Sequence, residues 1–124
     1  MGNIERITMI HMAVNDMDRS KEFYTGKMGF EATGDYSQGG SRWVPLALPG
    51  GGASVILTTC PSNLRPGTLE LFVSTPDVEA AYRELKARGV EPTSSIAQDE
   101  YGKRFSVKDP DGNTWVIAQD QRVG

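Results

Sequence analysis

The sequence predicts an α+β fold built from two tandem βαβββ modules. Two observations carry that expectation. The chain of 124 residues reads twice at a near-constant spacing, and each half runs through the same order of strand, helix and three short strands. Val14-Asn15-Asp16-Met17-Asp18 matches Val73-Ser74-Thr75-Pro76-Asp77 at an offset of 59. Gly29-Phe30-Glu31 matches Gly89-Val90-Glu91 at 60, and Leu48-Pro49-Gly50-Gly51 matches Asp109-Pro110-Asp111-Gly112 at 61. Val55-Ile56-Leu57 matches Trp115-Val116-Ile117, again at 60. One supersecondary unit used twice fits a pseudo-twofold arrangement, and a cleft between related halves is a natural ligand site.

Each element has its own signal. The opening strands are the alternating runs Ile7–Val14 and Thr68–Val73. In the first helix Asp16 is the expected N-cap, and Met17, Phe23, Tyr24 and Met28 form an apolar stripe ending at Gly29. In the second, Thr75 is the expected cap, with Pro76 at the first helical position. Val78, Ala81, Tyr82 and Leu85 form the stripe up to Gly89. The remaining strands are expected at Phe30–Thr33, Trp43–Leu48 and Ser54–Thr59, then at Val90–Ser94, Arg104–Lys108 and Thr114–Gln119. Gly39-Gly40, Pro49 to Gly52 and Asp109 to Asn113 break them. One domain over 1–124 is expected, with module 1 at about 4–60, a linker at 61–67 and module 2 at about 68–121.

Bulk properties narrow the function. Hydrophobic residues make up 38% and charged residues 23%, as in ordinary soluble domains. A net charge of −3 without a basic run argues against nucleic acid. No apolar stretch is long enough to span a bilayer, and no signal-peptide core opens the chain. The lone cysteine, Cys60, suits a reducing cytoplasm and reads as a packed side chain more readily than as a nucleophile. Gly50-Gly51-Gly52 leads into a strand rather than a helix N-terminus, so it reads as a turn and not as a phosphate loop.

The motifs resemble a known family. Val14-x-Asp16-x-Asp18-Arg19-Ser20, then Phe23-Tyr24, Met28-Gly29-Phe30 and Asp109-Pro110-Asp111-Gly112-Asn113, are similar to the glyoxalase/bleomycin-resistance/dioxygenase (vicinal oxygen chelate) superfamily. The resemblance implies a curved mixed sheet around a cavity, helices on its outer face, and a homodimer. It implies metal-dependent lyases, isomerases and dioxygenases, or metal-free proteins that sequester antibiotics. Its four metal-ligand positions fall on Met9, Ile56, Thr68 and Val116, none of which supplies imidazole or carboxylate. No cofactor is therefore expected, a divalent metal being the alternative.

Strand parity points to one face independently of the resemblance. Ile10, Met12 and Val14, with Leu69, Leu71 and Val73, form an apolar face suited to packing under the helices. The opposite face carries the only histidine, His11, and a carboxylate, Glu70, offset by 59. The two are expected as a close pair on a cavity floor, either anchoring a polar ligand or moving a proton, or else as a structural hydrogen bond between modules. Arg42 and Trp43 are further candidates for ligand binding, one of them facing inward; Trp43 would stack on a planar ligand or pack in the core. Tyr101 and Arg104 occupy the matching place in the second half, on a loop over the cavity or on a polar rim. The expected function is a protein binding a small organic ligand in an inter-module cavity, in the manner of a sequestration or resistance protein. The alternative is an enzyme of the same superfamily, metal-dependent or using Glu70 as base and His11 as acid.

Overall fold

The computed structural model describes residues 2–59, 64–100 and 102–120. The chain divides into two compact units, 1–66 and 67–124. Cys60, the first half of the expected linker and Tyr101 lie outside the described residues.

In the first unit the order is β1 (Met9–Ala13), α1 (Met17–Glu22), a π turn (Phe23–Lys27), β2 (Glu31–Ala32), β3 (Tyr36–Gln38), β4 (Ser41–Ala47) and β5 (Ser54–Thr58). Strands β1, β5, β4 and β2 form a mixed sheet in that order, with β3 also pairing with β4. The second unit has β6 (Glu70–Thr75), α2 (Val78–Ala87), β7 (Ala97–Asp99), β8 (Gly102–Lys108) and β9 (Thr114–Gln119). Its sheet runs β6-β9-β8-β7, with β6 parallel to β9 and the other pairs antiparallel.

Alternation along the strands fixes which side chains meet the helices. Met12 lies opposite Leu57, and Leu57 opposite Val44; all three are fully buried. Tyr24 of the π turn closes over this face, its hydroxyl 3.4 Å from the Met12 sulfur and its ring stacked on Phe30. In the second unit Trp115 and Val107 are fully buried opposite one another, and Tyr82 of α2 meets Phe105 edge to face. Burial of such side chains is the main favourable term in holding each unit together.

Four expectations are corrected. Helix α2 starts two residues later than the proline signal implies. Asp77, not Thr75, caps it by accepting from the Ala80 N–H, while the Thr75 hydroxyl accepts from the Asp77 N–H. Strand β6 begins at Glu70, leaving Thr68 before it. The segment Val90–Ser94 forms no strand: Val90 and Pro92 are buried, but the strand pairing begins only at Ala97. The first unit has an additional short strand, β3, whose three residues are all exposed.

The repeat is also displaced. Asp16 and Asp77 cap their helices in the same way, and Met17 and Val78 are each the buried first helical residue. These equivalents are 61 apart, not 59. After the helices, Gly29 and Gly89 both have positive φ, +81° and +88°, and are 60 apart. The first helix therefore holds one residue more, and the π turn absorbs it, the Met28 N–H donating to the Phe23 carbonyl five residues back.

The Asp109–Asn113 turn behaves as its chemistry dictates. Asp109 Oδ1 accepts from the N–H groups of Asp111, Gly112 and Asn113, and its Oδ2 from the Asn113 amide. Asn113 Oδ1 in turn accepts from the Leu69 N–H, tying the turn to the start of β6.

Candidate ligand-binding site

Each sheet has a helix-covered face and a helix-free one. On the helix-free face of the first unit, cross-strand neighbours form three rows. Met9 lies beside Ser54, His11 beside Ile56 and Pro45, and Ala13 beside Thr58 and Trp43. Trp43 is in turn opposite Tyr36 on β3, and the two rings stack with centroids 5.9 Å apart and planes 28° apart. The floor (Ala13, Ile56 and Thr58) is buried, His11 and Met9 are exposed, and Trp43 is half-buried. This surface is apolar and aromatic with an imidazole and a hydroxyl at its margin.

The sequence contains the signal for the aromatic pair. Gly39 and Gly40 both have positive φ, the requirement of a two-residue hairpin turn, and such a turn sets Gln38 opposite Ser41 and hence Tyr36 opposite Trp43. Tyr36 was not among the expected site residues because β3 carries no apolar alternation.

Arg42 lies on the other face. Its Nε and Nη2 hold Asp35 at 2.9 and 2.7 Å, and its Nη1 holds Asp18 of α1 at 2.8 Å. Lys21 Nζ completes the cluster, 2.8 Å from Asp35. The Arg42 guanidinium and the Lys21 ammonium hold the Asp35 carboxyl well below the usual carboxylate range, and the carboxylates push Arg42 upward. Of the pair Arg42 and Trp43, Trp43 is thus the one on the face shared with His11.

On the helix-free face of the second unit, Glu70 lies beside Thr114 and Lys108, Phe72 beside Val116 and Ser106, and Ser74 beside Ala118 and Arg104. Phe72 is 68% exposed. Arg104 grips Asp99 through two nitrogens at 3.0 and 2.6 Å, which raises its pKa. Lys103, on the opposite face, bonds Glu79 of α2 and lowers the pKa of that carboxyl.

These pairings revise which residues correspond. Ile56 and Val116 are equivalents on β5 and β9, so His11 corresponds to Phe72, and Met9, beside Ser54, corresponds to Glu70, beside Thr114. His11 and Glu70 are therefore not mates of the repeat, although each occupies the helix-free face of the first strand of its unit. Trp43 corresponds to Arg104, opposite Thr58 and Ala118 respectively.

The metal positions implied by the motifs meet the same rows. Ile56 lies opposite His11 and Val116 opposite Phe72, while Thr68 precedes the strand and the register puts Glu70, the counterpart of Met9, in its place. A thioether, two aliphatic groups and, at the corrected register, a single carboxylate do not make a divalent-ion site. Among the described residues, no group of three or more His, Cys, Asp or Glu is arranged to hold one. A shallow groove of about 370 Å³ at the edge of the second sheet, lined by Gln98, Gly102, Lys103, Gln119 and Asp120, contains none of the candidate residues.

The Glyoxalase/Bleomycin resistance protein/Dioxygenase superfamily model matches residues 6–117. The chain belongs to this superfamily. The chain is 28% identical to TnmS3, an antibiotic binding protein from Streptomyces sp. CB03234, over 98% of this chain and 100% of that one, with a TM-score of 0.88. A glyoxalase/bleomycin resistance protein from the same organism is 29% identical, with 91% and 99% of the two chains covered and a TM-score of 0.79. The protein YetH of Bacillus subtilis is 28% identical over 94% of this chain and 99% of its own. The mixed α+β fold is that of the superfamily, and among the described residues no helix is long and apolar enough to cross a membrane.

Proposed function

We propose that this superfamily member binds a small organic molecule with a planar apolar part, without a metal ion, and sequesters it unchanged. The observation that carries this is the Tyr36–Trp43 stack beside the buried floor of Ala13, Ile56 and Thr58. Aromatic walls supply large apolar contact and a preferred stacking geometry, while His11 offers a polar anchor at the margin and Thr58 a hydroxyl in the floor. Likeness to an antibiotic binding protein at a TM-score of 0.88 supports the same ligand class. Glu70 and Arg104 belong to the corresponding face of the second unit and are proposed as further ligand contacts. The protein is proposed to act in the cytoplasm as a homodimer, which would cover the exposed Phe72 and Met9.

The test is fluorescence titration with planar apolar antibiotics and the dye 8-anilinonaphthalene-1-sulfonate, followed by mass spectrometry of the recovered compound. Saturable quenching, absent in Trp43→Phe, with the compound recovered intact is the expected result. A modified compound would instead favour acid/base catalysis by His11 and Glu70, the second reading, motivated by their shared helix-free location on opening strands. Loss of that turnover in Glu70→Gln with binding retained would establish it. Stoichiometric metal by elemental mass spectrometry, after incubation with Ni, Zn, Mn, Co or Fe(II), would overturn the metal-free assignment.

A further inference from the structure

The aromatic pair is held from the opposite side of the sheet. Strand β3 is three residues long, wholly exposed and bonded to β4 along one edge. So short a strand does little by itself to fix the side chain at its first position. The residue immediately before Tyr36 is Asp35, whose two carboxylate oxygens are gripped by the fork of Arg42, the neighbour of Trp43, and by Lys21 of α1. Asp35 is thus tied at once to β4 and to the helix. The residue before that, Gly34, lies under the Tyr36 ring. A Cβ at this position would collide with the far end of the ring, about 2.5 Å from its hydroxyl oxygen.

The second unit shows that the fold does not require this device. Arg42 and Asp18 correspond to Lys103 and Glu79, so the tie between helix and strand is present in both units. The Asp35 arm is not repeated: Tyr82 stands in the place of Lys21 and Ala97 in the place of Tyr36, opposite Arg104, yet β7 still pairs with β8. Something other than strand pairing accounts for the arm in the first unit.

We infer that Asp35 and Gly34 are positioning residues that set the Tyr36 ring against Trp43 as a preformed wall for the ligand. The function of that wall rests on the binding proposed above; the positioning itself is measurable without ligand. Preorganising a contact surface lowers the ordering cost of binding, so its loss weakens affinity even where every contact residue is retained.

The experiment compares Asp35→Asn, Gly34→Ala and Tyr36→Leu with the parent by near-ultraviolet circular dichroism and tryptophan emission, Trp43→Phe identifying the Trp43 contribution. Tyr36→Leu removes the ring and defines the unstacked signal. Asp35→Asn and Gly34→Ala are expected to move the Trp43 signal to that value with the far-ultraviolet spectrum unchanged. About 1 M salt, which shortens electrostatic reach to about 3 Å, is expected to move the parent in the same direction but not Asp35→Asn. Gly34→Ala changes no charge and meets only the far end of the Tyr36 ring, so it tests positioning apart from the ion pairs. Affinity for 8-anilinonaphthalene-1-sulfonate is expected to fall roughly three- to tenfold in all three variants. A parent-like Trp43 signal in Asp35→Asn and Gly34→Ala overturns the assignment, as does a Tyr36→Leu variant that leaves the signal unmoved. A parent that binds neither the dye nor any planar antibiotic, yet shows the expected shifts, removes the binding function and leaves the positioning intact.

Discussion

Asp109 satisfies three backbone N–H groups with one carboxylate oxygen and an amide with the other, and it is almost completely buried. Asp109→Ala leaves those donors in a confined turn and is expected to cost about 1–3 kcal/mol, read as a fall in melting temperature. Asp109→Asn, which retains an acceptor oxygen, should lose less. Gly67 is exacting for a different reason. Its φ is +81°, and a Cβ there would run into the Asp111 carbonyl oxygen. Gly67→Ala is expected to destabilise by at least about 1–3 kcal/mol, whereas Gly39→Ala, with open space around it, meets only the positive-φ penalty. The Asp109–Asn113 turn was legible because proline, glycine and aspartate announce it, whereas Gly67 reads only as the end of the linker. The close approach of Gly67 to Asp111 was not legible, because it joins residues 44 positions apart in the chain. Trp115, opposite Val107 on the helix-covered face, is fully buried.

At the scale of elements, strand faces were readable even where equivalences slipped. The repeat aligned at 59 is displaced by two residues from the structural one at 61, and a shift of two along a strand returns every side chain to the same face. His11 and Glu70 were therefore assigned to the correct faces but to the wrong partners. Strands β3 and β7 were not legible: both are exposed edges of polar and small residues, without the alternation that burial imposes. The π turn was hidden because an added residue preserves an apolar stripe while rotating the residues after it. Removing Gly26, an exposed residue within it, is expected to give a regular α-helix like α2 and a cooperatively folded protein. Loss of the melting transition would show that the extra residue is structurally required. The cluster of Lys21, Asp35, Arg42 and Asp18 gives this region a pH dependence. Asp35 has a depressed pKa in the folded state, so its contribution is present above the ordinary aspartate range near pH 4 and is lost as pH falls through lower values. Asp35→Asn should flatten the acid limb of stability, measured as melting temperature between about pH 2 and pH 5. The effect is expected to be small, since Lys21, Asp35 and Arg42 are about one-third exposed, Asp18 is mostly exposed, and water screens them.

At the scale of the molecule, the duplication predicts what each unit must do with its uncovered face. Phe72 is 68% and Met9 53% exposed, both on helix-free faces. The proposed dimer buries them, and Phe72→Glu is expected to halve the mass found by light scattering; an unchanged mass removes Phe72 from the interface. The superfamily fold was legible because glycine, aspartate and apolar spacing recur through nearly the whole chain. The ligand was not, because the residues that differ between halves are those that would touch it, and a repeat reports what is shared. The correspondence of Trp43 with Arg104, and of His11 with Phe72, gives this divergence a use. Each half is a naturally tolerated variant of the other, on one backbone and in one molecule. A side chain moved from one unit to its counterpart enters a site whose neighbours already accept a different chemistry at that register. Under the proposed binding function, ligand preference can then drift by exchange at a few strand positions, while the caps at Asp16 and Asp77 and the ties from Asp18 to Arg42 and Glu79 to Lys103 remain as the inherited frame.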